Sequence, residues 1–203
     1  MMQLLWTRRR DCRDRRARGD RGVALVEAVF VFPVVLVVVF AIMEFGLLFA
    51  AESTTQSATR DGVRFGAANY AVSGSNQAAA NAIAAVVAGD LGARTKQDTP
   101  LNLVVYKASS TGTAAGSPTN GYTDCTSVCF KYTWNGSSWT AVAGSPGWSG
   151  PIACIDTTGV NVLDSIGVYL EVRHTYITGA FGTSIVVKEH TVSRLEPLPL
   201  SQC

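Results

Sequence analysis

A single carboxylate at the mouth of a long apolar run is the side chain of this sequence best placed to do chemistry. Glu27 follows Arg21-Gly22-Val23-Ala24-Leu25-Val26, so an Arg-rich leader gives way through one glycine to four uncharged residues and then an acid. An ionisable group at the start of a membrane-type segment is costly to bury, and by default it marks a functional site. The spacing suggests its partner. Cleavage after Gly22 would make Val23 the new terminus, with an α-ammonium group, and Glu27 the fifth residue of the product. Carboxylate and amine could then pair, on one chain or between neighbours.

Charge is divided unevenly along the chain. Residues 1–22 hold eight arginines against three aspartates, a local balance of 8 − 3 = +5. The rest keeps 17 − 8 = 9 basic and 15 − 3 = 12 acidic residues, so the net +2 of the whole hides a basic leader on a body of −3. Arginines clustered beside an apolar helix stay cytoplasmic, which predicts the leader inside and the C-terminal body outside. A basic block also suits a nucleic-acid-binding arm. The body has no basic surplus to extend such a surface, so no nucleic-acid partner is expected.

From Ala28 to Met43 the chain is apolar and uncharged; it meets Glu44 and continues apolar from Phe45 to Ala51. As a helix, the residues between Glu27 and Glu52 would reach roughly 36 Å, enough to span a bilayer. Valines are frequent and favour strands in water, but a lone strand in lipid leaves its backbone unpaired, so helix wins. A cleaved signal peptide is the competing reading. Its apolar region is shorter and ends at a small-residue site, whereas a cut after Gly22 leaves this helix attached. Two irregularities, Pro33 and Glu44, are candidates for helix packing. Proline removes one backbone hydrogen bond and can bend the helix. Glu44, about 31 Å along from Val23, is expected at the outer interface, snorkelling into headgroups.

Helical spacing persists beyond the span. Ala51, Thr55, Ala58, Gly62, Phe65 and Asn69 recur every three or four residues, with Glu52, Gln56, Arg60, Asp61 and Arg64 on other sides. One face of a helix is thereby marked, and its small side chains permit close approach of a second helix or of the protein's own outer domain. The expected organisation is a leader over 1–22, a transmembrane helix over 23–51, a helical extension over 52–69 and an extracytoplasmic domain over 70–203.

The stretch RGVALVEAVFVFPVVLVVVFAIMEFGLLFAAESTTQSATRDGVRFGA resembles the TadE-like family of minor pilins or pseudopilins of tight-adherence (Tad/Flp) pili. The resemblance is carried by Gly22 with Glu27 five residues on, by Pro33, by Met43-Glu44-Phe45-Gly46, and by the continuation through Arg60 and Arg64. VYLEVRHTY and HTVSRLEP near the end resemble the family's closing strands. The leader is unusually Arg-dense, and Gly62 stands where relatives often carry alanine. The resemblance implies a structural protein, not an enzyme, held in a bacterial cell membrane as a single-pass helix. It implies a prepilin peptidase cutting between Gly22 and Val23, and Glu27 neutralising the Val23 ammonium during assembly. The implied partners are the membrane, that peptidase, other pilins or pseudopilins and the assembly machinery.

The outer body reads as α+β, with one helix and an antiparallel sheet of about four to six strands. Ser75 would cap a helix over 76–91 with Gly92 as its stop. Strands are predicted over 100–107, 128–134, 139–142, 166–178 and 183–195. Asn135-Gly136-Ser137-Ser138 is the clearest hairpin turn; Asn135-Gly136-Ser137 is also a glycosylation acceptor, but the turn is preferred. Residues 108–124 read as a loop. Cys125, Cys129, Cys154 and Cys203 would survive loss of the leader, and export favours two disulfides among them over zinc, with three connectivities open. No metal and no cofactor are expected. His174 and His190, the only histidines, fall too far apart in the last hairpin to share a metal, and no phosphate loop or nucleophile–base signature is present. Trp134, Trp139, Trp148 and Tyr132 suit hairpin packing, or a sugar-binding surface. The alternative function is therefore an uncleaved, signal-anchored surface protein holding a polysaccharide or protein partner.

Overall fold

The computed structural model describes residues 4–70, 76–94, 96–108, 122–148 and 163–198, with side chains from residue 22 onward. Helix α1 runs Leu4–Asn69 and α2 runs Asn76–Asp90, continued by a single 3-10 turn, Leu91–Ala93. Five strands follow: β1 Asp98–Ala108, β2 Cys129–Trp134, β3 Trp139–Ala141, β4 Ser165–Thr175 and β5 Ser184–Arg194. The chain divides into two compact units, residues 1–46 and 47–203.

In the first unit the helix carries an exposed apolar surface from Val23 to Met43. Every large apolar residue from Val23 to Met43 is exposed, Phe30 to 73% and Val37 to 66%. The helix from Gly22 to Asn69 is long and apolar enough to cross a membrane. So much exposed apolar surface is not found on a soluble monomer and calls for lipid or other helices.

The second unit is an α+β domain, as the sequence predicts. Its sheet has the order β3-β2-β1-β4-β5 and every pairing is antiparallel. The end of α1 and the whole of α2 cover one face. Ala58, Val63 and Ala67 from α1 and Ala80, Ile83 and Val87 from α2 meet Leu103, Val105, Ile166, Val168 and Leu170 of the central strands. Full burial of each large aliphatic side chain is worth about 1.5–3 kcal/mol. The small-residue face of the extension is thus consumed by its own domain: Ala51, Thr55, Ala58, Gly62 and Gly66 are buried, while Glu52, Gln56, Arg60 and Arg64 are exposed. Gly62 has a reason to lack a side chain, since a Cβ there would come 2.6 Å from Cγ2 of Val87. The Thr59 and Thr191 hydroxyls join helix to edge strand at 3.0 Å, and the Glu196 amide donates to the Ala67 carbonyl.

The opposite face carries a smaller cluster of Val104, Tyr106, Ala108, Cys125, Cys129 and Tyr169. Most element ends differ from the sequence expectation by one to three residues, and two of them show why. α2 stops at Asp90 rather than 91, because the next turn tightens to 3-10 and the Arg94 amide and guanidinium both donate to the Leu91 carbonyl. β4 stops at Thr175 rather than 178, because the Tyr176 amide already meets the Thr183 carbonyl and the turn follows, with positive φ at Gly179 and Gly182. Ser75, most of the expected loop over 108–124, and Cys154 and Cys203 lie outside the described residues.

Candidate functional site

Val23 and Glu27 stand four residues apart in a continuous helix, which puts them on one face with a rise of about 6 Å between them. Gly22, Val23, Val26 and Glu27 line one shallow depression on that face. No protein atom lies within 4 Å of where a Gly22 side chain would start, so the Gly22–Val23 bond is open to approach. The helix passes through that bond and on through Pro33 without interruption. Glycine costs a helix about 1 kcal/mol relative to alanine, so Arg21-Gly22-Val23 is a weak point of the helix.

Glu44 is buried within the protein. It is 2% exposed, whereas Met43 and Phe45 on either side are 53% and 56% exposed. Successive helical residues point about 100° apart, so one of three neighbours can be buried while the others stay open.

The remaining candidates lie in the outer domain. Cys125 and Cys129 form a disulfide, packed among Tyr106 and Tyr169. The aromatic group read from the sequence is divided. Trp148 stacks on Tyr70 with centroids 4.6 Å apart. Tyr132 is buried and donates its hydroxyl to Asn81 at 2.9 Å while accepting from Gln77, and burial pushes that hydroxyl well above the ordinary phenol range despite the Gln77 bond. Trp134 and Trp139 meet edge-to-face at 5.0 Å, and Trp134 lines a groove together with Arg94 and Lys96. Asn135 is a turn residue: its side-chain oxygen accepts from the Ser137 and Ser138 amides, and Gly136 has φ of 103°.

Sequence reasoning missed a buried acid–histidine pair. His174 is fully buried, and its Nδ1 donates to Asp98 Oδ1 at 2.6 Å. The two face each other across the β1–β4 ladder. His174 also lies opposite Ile185 and His190 opposite Tyr169, on the other face of the sheet, which keeps the histidines apart. Breaking a buried pair from one side is expensive. Asp98→Ala should lower stability by about 3 kcal/mol, read from the denaturation midpoint; an unmoved midpoint would show that the pair is not needed for folding.

The apolar helix opening on Gly22 and Glu27 is the feature that the comparisons address. Residues 22–64 match the TadE-like protein family. The TadE-like segment begins at the glycine, takes in Val23, Glu27, Pro33 and Glu44, and ends within α1 among the residues that dock on the outer domain. This agrees with the resemblance carried by the residues themselves. No curated protein and no solved structure matches the chain.

Proposed function

We propose that the chain is a TadE-like minor pilin or pseudopilin, a structural component in the assembly of a tight-adherence pilus. The observation that carries this reading is the exposed apolar helix with Glu27 one turn beyond Val23, inside the segment that matches the family. The Arg-rich leader stays cytoplasmic, the helix crosses the membrane once, and the α+β domain stands outside. A prepilin peptidase removes residues 1–22. Assembly then moves the helix from lipid into a bundle of neighbours, where the Glu27 carboxylate meets a Val23 ammonium. A paired charge in that environment costs far less than a lone one, so the contact sets the axial register of subunits more than it adds stability. Pro33 gives the packed helix a point of bend.

Processing tests the reading directly. Mass spectrometry of the membrane protein should find a mature terminus at Val23, and Gly22→Leu should leave the leader attached. A Cβ at Gly22 would start in open space, so insertion and the outer domain should be unchanged while processing falls at least tenfold. A normally processed Gly22→Leu protein, or a wild-type protein that keeps its leader, would reject the site.

A further inference from the structure

Trp134 does not join the core; it lines a groove of the outer domain. The groove encloses about 450 Å³ between the 3-10 turn after α2, the start of β1 and the β2–β3 turn; Gly92, Arg94, Lys96, Asp98, Trp134 and Gly136 lie along it. Its charge is one-sided. The Asp98 carboxylate is turned inward onto His174 at 2.6 Å, with 2% of the side chain exposed. Arg94 and Lys96 form no ion pair with any described residue, and Lys96 is exposed. Arg94 is held in place: one guanidinium nitrogen donates to the Leu91 carbonyl at 2.8 Å, and the group lies 5.1 Å from the centroid of the Trp134 ring. Its other N–H groups remain available as a planar fork that fits a carboxylate. Gly92 and Gly136 leave the rim open, with nothing within 4 Å of where their side chains would start.

We infer that this groove binds a carboxylate-bearing saccharide, a uronic acid unit of an acidic polysaccharide. The carboxylate lies between Arg94 and Lys96, and the apolar face of the sugar ring packs against the Trp134 indole. One anchored guanidinium and one exposed ammonium beside one indole match a single ring with a single acid group. A nucleic acid would need a longer series of phosphate contacts than the groove offers. Residues 47–203 carry nine basic and ten acidic side chains, so the surplus of positive charge is local to the groove. Binding here is independent of cleavage at Gly22.

The test is calorimetric titration of the full chain in detergent micelles with hexagalacturonate, against maltohexaose as the neutral control and a thymidine hexanucleotide as the anionic one. Hexagalacturonate should bind, weaken as salt rises, and outcompete both controls. Lys96→Gln and Arg94→Gln should each weaken it at least fivefold, and Trp134→Ala at least tenfold. Lys96 makes no packing contact on which the fold depends, so its variant reports on binding even where Trp134→Ala unfolds. Equal binding of maltohexaose, tighter binding of the hexanucleotide, or unchanged affinity in Lys96→Gln would overturn the assignment.

Discussion

Glu27→Gln should yield protein that is inserted and processed but builds few or no surface filaments. The substitution keeps the shape and a hydrogen-bonding group and removes only the charge. Glu27 is exposed on the helix, and among the described residues its side chain has no hydrogen bond or ion pair that the change would break. Insertion should improve slightly, because a carboxylate carried toward the bilayer centre costs on the order of 2.5–3.5 kcal/mol. Processing should survive, since the bond to be cut lies five residues earlier. Assembly is where the loss falls. A neighbour's Val23 ammonium would enter an apolar bundle without its counter-charge, and removing one partner of a buried pair costs about 3–5 kcal/mol. That is a factor of about a hundred to several thousand in each subunit addition. Processed protein and surface filaments must be measured on the same cells. Normal filament numbers with Gln at this position would reduce Glu27 to an ordinary interfacial residue hydrated by headgroups.

The same arithmetic explains why the N-terminal third was readable and the site in the outer domain was not. A membrane helix declares itself through composition alone, because lipid accepts no unpaired backbone and almost no charge. Gly22, Glu27 and Pro33 therefore stand out against a uniform background. The strands were legible too: Asn135-Gly136 fixed one hairpin and Gly179 with Gly182 fixed the other, both by local turn chemistry. Sheet order was not local. Placing β1 between β2 and β4 brings Asp98 onto His174 across 76 positions of sequence, and no short-range pattern announces such a pair. The same long-range step separated the tryptophans. Trp148 was drawn to Tyr70 at the end of α1, which left Trp134 beside Arg94. The small residues at 51, 55, 58 and 62 were visible as a close-packing face. Whether that face received another subunit or its own domain depended on the position of α2, which the sequence pattern of α1 does not contain.

Gly167→Ala should be the most damaging single-atom addition to the outer domain. Glycine inside a strand marks a close approach, and here the neighbour is the ring of Tyr106, paired across the β1–β4 ladder. A Cβ built on Gly167 would fall within that ring. The ring has no free space to take up. Tyr106 is 1% exposed, and it is packed among Val104, Cys129 and Tyr169 on the face of the sheet opposite the helices. Inserting a methyl group into a filled core costs about 1–3 kcal/mol, and pushing the ring aside forfeits part of its own burial as well. A total near 3 kcal/mol should lower the melting temperature by roughly 6–12 °C for a chain of this size. A double-mutant cycle isolates the cause. Tyr106→Leu removes the obstructing ring, so adding Gly167→Ala to it should cost far less than the same change in the wild type. The coupling between the two sites should exceed about 1 kcal/mol, within the range seen for residues in contact. Additive effects would mean that Gly167 is required for its backbone rather than for the ring lying on it.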